Sequence, residues 1–151
     1  MGLPTRTLAL LCGAWLAVGC ASEDERTPAA CLELDGPSTV RAALRSAPGP
    51  VRVEGQPLSA CLHGKTDAGT LRGVGLAYVE AAAGLAEEAE ARPHGASATQ
   101  LGYLIGATRR GAARAQGVAD ELMRRLEQEV GRVDERSPAF TAGERAGRSG
   151  G

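Results

Sequence analysis

From Leu101 to Val130 one stripe runs through Leu101, Leu104, Ile105, Thr108, Ala112, Ala115, Val118, Leu122, Leu126 and Val130. Steps of three and four put these residues on one face of an α-helix, whereas a strand would need a period of two. Ser97 followed by Gln100 has the pattern of a capping box, and Gly131 stands where a helix would stop. The spacing predicts a helix from about residue 98 to 130, roughly 50 Å long at 1.5 Å per residue. Such a stripe is stable only when another apolar face covers it.

The chain offers a cover just upstream. Leu71, Val74, Tyr78, Ala82 and Leu85 repeat at helical spacing, which predicts a helix from about Ala68 to Ala91. Asp67 is its candidate N-cap, and Pro93 and Gly95 end it. A short connection makes an antiparallel hairpin the expected arrangement. In that register Leu85 faces Leu104, Tyr78 lies near Gly111 and Ala112, Leu71 faces Val118, and Glu80 approaches Arg109. Large residues meet small ones, and Gly102, Gly106, Ala113 and Gly117 add close-approach positions. Arg109, Arg110 and Arg114 interrupt the run, which favours a soluble helix pair over packing within a bilayer.

The first of these helices would be about 36 Å long, so the second overhangs it by about residues 122–133. Its exposed face needs a cover. The candidates are a second chain or the segment before residue 62. There Asp35-Gly36-Pro37 reads as a turn, and Ser38 can cap a short helix, Thr39 to Ala47. Val51-Arg52-Val53 has the character of a short strand with no obvious partner. Aromatic residues are scarce: Trp15, Tyr78, Tyr103 and Phe140. The core must be built largely from Leu, Val and Ala, and a covalent staple would help a core so short of bulk. Cys31 and Cys61 are the candidates for a disulfide. The fold class is therefore mainly α, an antiparallel helical hairpin with a short, disulfide-stapled N-terminal helical segment.

The beginning of the chain carries a different signal. Arg6 precedes an apolar run of 11 residues, Leu8 to Val18, followed by Gly19 and Cys20. The run has the length of a signal-peptide core and is too short to span a membrane. The stretch Leu16-Ala17-Val18-Gly19-Cys20 resembles the lipobox of bacterial lipoproteins, with Ala17 where Leu is commoner. The resemblance covers about the first 20 residues. It implies that Cys20 receives a diacylglyceryl group, that cleavage falls before it, and that the chain is exported and lipid-anchored to a bacterial cell membrane, with outer-membrane sorting open because Ala21, not Asp, follows. Two or more acyl chains give stable attachment. An ordinary secretory signal cut nearby, leaving Cys20 as a thiol, is the competing reading. In an exported protein Cys31 and Cys61 would meet an oxidising environment. The expected organisation is a signal peptide over 1–19, a lipidated flexible tether over 20–30, a helical domain over 31–133 and a disordered tail over 134–151, in which Phe140 stands alone.

Residues that carry chemistry are few. The 17 basic and 18 acidic residues nearly balance, and no basic surface with interleaved aromatics suggests nucleic acid. No HExxH, CxxC or phosphate-binding glycine motif occurs, and His63 and His94 stand apart from any nucleophile. His63 with Asp67 is a weak metal pair, so no metal or cofactor is expected. Glu87, Glu88 and Glu90 read as a solvated face. The cluster Arg109, Arg110 and Arg114 is the one candidate binding feature, for an anionic head group or glycan, unless Glu80 and its neighbours pair it. Two functions remain. One is a non-enzymatic interaction or structural module that binds an envelope protein. The other is a small-molecule or lipid-binding protein with a cleft between the hairpin and the N-terminal segment. A pocket of a few hundred Å³ favours the second, and an exposed stripe on the long helix favours the first.

Overall fold

A computed structural model describes residues 27–32, 34, 36–62, 68–113 and 117–151. Among these are six α-helices: α1 (Ala29–Leu32), α2 (Pro37–Leu44), α3 (Ala68–Ala91), α4 (Ala96–Ala112), α5 (Val118–Val130) and α6 (Pro138–Gly150). A 3₁₀ turn spans Leu58–Leu62, and no strand occurs among the described residues. The proposed signal peptide, Cys20, His63, Asp67 and Arg114 lie outside the described residues. Of the expected tether, Ala29 and Ala30 already belong to α1.

The helical hairpin is α3 and α4, joined through residues 92–95. The 3₁₀ turn lies against the end of the hairpin far from that loop. The Tyr78 hydroxyl donates to the Leu58 carbonyl at 2.8 Å, and a Cβ on Gly111 would stand 2.9 Å from Leu62 Cβ. Val74, Tyr78, Ala82 and Leu85 of the expected stripe are buried. Ser97 does not cap α4. The helix begins at Ala96 with Gly95 as N-cap, and the Ser97 hydroxyl donates instead to Glu88 Oε2 at 2.5 Å. Glu88 also receives the Arg41 guanidinium, and Ser97, standing inside the first turn one residue past the start of α4, is not at the N-cap position.

The N-terminal segment covers the hairpin. α2 starts at Pro37, earlier than Ser38 would place it, because proline at the first helical position is already set in helical φ. Val40 and Leu44 are buried, and Arg41 reaches Glu88 and Gly84, so α2 packs near the hairpin loop and not over an overhang. The expected strand at residues 51–53 is only an isolated bridge, Val53 with Gln56, closed by Glu54 and Gly55 at φ 48° and 80°. A two-residue turn with both central φ angles positive reverses the chain at once and leaves no ladder to extend. Val51 donates its N–H to the Tyr103 hydroxyl at 3.2 Å, and Cys31 is bonded to Cys61.

The single long helix expected from residue 98 to 130 is two helices. α4 ends at Ala112, and α5 begins after Gly117, whose φ of 75° suits glycine. No overhang results. α5 folds back along α3, placing Leu122 over Gly75 and Arg132 toward Glu90, so it runs in the same direction as α3. Leu122, Leu126 and Val130 are buried there.

Residues 134–151 correct the expectation of a disordered tail. Ser137 caps α6 by accepting the Phe140 N–H at 3.2 Å, Pro138 occupies the first turn, and Phe140 is buried in the core. α6 lies parallel to α4 at backbone contact. A Cβ on Gly102 would stand 2.2 Å from the Phe140 oxygen, and one on Gly106 would stand 2.2 Å from the Glu144 oxygen. From the other side, Gly143 meets the Thr99 oxygen at 1.9 Å and Gly147 the Tyr103 oxygen at 2.2 Å by the same measure. The glycine hydrogens in those directions point at carbonyls, the geometry of Cα–H···O contacts between close helices. Phe140 and the four glycines draw residues 138–151 into the domain.

Candidate binding cleft

A cleft of about 460 Å³ opens between α3 and α5. Its α3 wall carries Leu71, Arg72, Gly75, Leu76 and Val79, and the opposite wall carries Ala119, Leu122 and Arg125 of α5, with Leu62 closing one end. The helical period makes this wall: 68, 72, 75, 76 and 79 share one face of α3. Gly75 forms the floor. A Cβ there would lie 3.7 Å from Leu122 Cδ1, so the two helices touch below the cleft and diverge above it. Leu76 is 57% exposed, a large apolar side chain left standing in the opening.

The rim is charged unevenly. Glu121 is shared by Arg125, which donates to it at 2.9 Å, and Arg124. These contacts, the Arg125 hydrogen bond first, hold the Glu121 carboxyl below its ordinary range. Arg72 is exposed and meets no acid among the described residues.

Two of the three arginines of the candidate cluster, Arg109 and Arg110, are occupied. Arg109 pairs with Glu144 of α6 and reaches Glu127 of α5 at 3.5 Å. Burial would raise the Glu144 carboxyl, but Arg148 and Arg109 outweigh it and leave its pKa lowered. Arg110 donates to the carbonyls of Arg148 at 3.1 Å and Ser149 at 2.5 Å, at the C-terminus of α6 where a cation is favoured. Arg109 therefore does not face Glu80, and both arginines secure a helix in the segment expected to be a disordered tail. Of the acidic residues assigned to a solvated face, Glu88 is engaged. The Ser97 hydroxyl and then Arg41 lower its pKa.

Comparison with protein-family models, characterised proteins and solved structures finds no match for this chain. Its own geometry carries the functional argument. Among the described residues no three His, Cys, Asp or Glu side chains stand close enough to hold a metal ion, and no helix is long and apolar enough to cross a membrane. Sequence reasoning misses Arg72 and Leu76 as site residues. Their signal is visible afterwards: Leu76 lies outside the stripe that defines α3 and has no polar reason to be there. Leu71 lines the cleft, and the side chain of Val118, its partner in the expected hairpin register, lies outside the described residues.

Proposed function

We propose that the chain is a non-enzymatic binding protein of the bacterial envelope, held on a membrane by lipid on Cys20, and that it takes an apolar ligand between α3 and α5. One observation carries the ligand-binding half: a cleft of about 460 Å³ with a predominantly aliphatic lining, within the range of small-molecule sites. It supports ligand binding over docking of an envelope protein, because α6 covers α4 and α3 covers the apolar face of α5 within the chain itself. The lipobox-like stretch ending at Cys20 supports the anchor.

The two halves are tested separately. Metabolic labelling with a tagged fatty acid should mark the wild-type chain and leave Cys20→Ser unmarked, with the label on the N-terminal peptide. A native protein found wholly in the soluble fraction without that lipid mass ends the anchor reading. For the cleft, an environment-sensitive apolar dye should brighten with wild-type protein and stay dark with Gly75→Leu. That side chain fills the floor, and because its Cβ would already lie 3.7 Å from Leu122 Cδ1, a urea melt run beside the dye assay separates a filled cleft from a displaced α5. Equal dye response in both proteins removes the cleft as the site.

A further inference from the structure

The ligand class follows from the rim, on the reading that the α3–α5 cleft is a binding site. We infer that its occupant is a single-chain amphiphile with one carboxylate, a fatty-acid type of molecule, whose chain lies along Leu71, Leu76, Val79 and Leu122 and whose head is met by Arg72.

Size and charge select this occupant. The aliphatic walls and the volume of about 460 Å³ suit one alkyl chain and leave no room for a two-chain lipid. A second copy of the protein is a poor fit. Leu76 is the only large apolar side chain exposed on the cleft among the described residues, whereas stable interfaces bury about 800 Å² on each partner. The charge balance in the lining is positive. Among the described residues Arg72 and Arg125 face a single acid, Glu121, and that acid is already taken by Arg124 and Arg125. Arg72 is left with five donors in a planar fork, the geometry that accepts a carboxylate in two parallel hydrogen bonds. It stands one turn before Leu76 on the same face of α3, so an anionic head at Arg72 continues into a chain over Leu76. A cationic head would be repelled there, and a neutral one would leave the guanidinium as it is in water.

The experiment uses the full chain in its native membrane. Photoactivatable analogues of laurate, dodecanol and dodecyltrimethylammonium are crosslinked, and the labelled peptides are mapped by mass spectrometry. The laurate analogue should label peptides from α3 and α5 and be displaced by unlabelled laurate. The dodecanol and trimethylammonium analogues should label them weakly. Arg72→Gln should weaken laurate competition about tenfold, as expected for one lost charged hydrogen-bond pair, and Arg72→Lys should restore part of it. Because Arg72 is exposed, neither change threatens the fold. Equal labelling by laurate and dodecanol, with Arg72→Gln unchanged, overturns the carboxylate inference and leaves the apolar cleft standing. Absence of α3 and α5 peptides with every analogue overturns both.

Discussion

Gly143 rests on the carbonyl of Thr99: a Cβ at Gly143 would stand 1.9 Å from that oxygen, closer than any real contact allows. The obstacle is backbone on a packed helix, so no rotamer change relieves it. Gly143→Ala must push α6 away from α4 and should lower stability by about 3 kcal/mol. Gly73 is the control. It lies on the exposed side of α3, and a methyl added there would meet nothing within 4 Å. Gly73→Ala should raise stability by roughly 0.5–1 kcal/mol through helix propensity. Urea melts of the two variants should move in opposite directions; equal shifts would contradict the contact.

The two buried tyrosines should not respond alike to loss of their hydroxyls. Tyr103→Phe leaves the buried Val51 N–H without its acceptor, which should cost about 1–3 kcal/mol. Tyr78→Phe leaves the Leu58 carbonyl, which has a second lone pair, and should be milder. Thermal denaturation of both variants ranks them, and the reverse order would argue against the Val51 contact.

Acid should loosen α6. Glu144 has its pKa lowered below the ordinary 4.5 by Arg148 and Arg109 against the opposing effect of burial. A carboxyl depressed in the folded state adds stability above its unfolded pKa and loses it as pH falls through the folded value. Stability should therefore decline below about pH 4.5, and Glu144→Gln should flatten part of that decline while lowering stability at pH 7. Adding Arg109→Ala to Glu144→Gln should cost less than the sum of the single changes, as a double-mutant cycle reads for a true pair.

Reduction should matter more here than in a protein with a larger core. Cys31 and Cys61 are 30 residues apart, and closing such a loop contributes about 3–4 kcal/mol by the chain-entropy estimate. The Cys31→Ala/Cys61→Ala pair should lose that amount in chemical denaturation. Intact mass should rise by two hydrogens on reduction of the wild type. Free alkylatable thiols in freshly isolated protein would sink the staple.

Side-chain periodicity with the stop at Pro93 and Gly95 is enough for α3, Ala68 to Ala91, and the Cys31–Cys61 bond is the pair expected from the sequence. Periodicity fails where helices meet by backbone. α6 buries Phe140 but packs mainly through Gly143 and Gly147, which add nothing to an apolar stripe, so the segment looks featureless as sequence. Its signals are Ser137-Pro138 and glycines spaced by four. Gly102 and Gly106 are close-approach positions as expected, but the helix that approaches them is α6, not α3. The stripe from Leu101 to Val130 keeps its period across the break before Gly117, so phase alone cannot reveal two helices. The cleft is not legible at all, because it exists only once α5 has folded back on α3.

The glycine spacing has a consequence for register. Gly102 and Gly106 on one helix and Gly143, Gly147 and Gly151 on the other repeat every four residues, so sliding α6 by about 6 Å along α4 sets glycines against the same rail again. The backbone groove alone does not distinguish these positions. What does is the set of unique contacts at its ends: Phe140 in the core, Glu144 with Arg109, and the Ser59 hydroxyl donating to the Gly151 oxygen at 2.6 Å. The glycines thus allow helices to approach, while a few side chains specify where the sliding stops. A variant stripped of those stops would keep its helices and its close packing yet occupy more than one docked alignment.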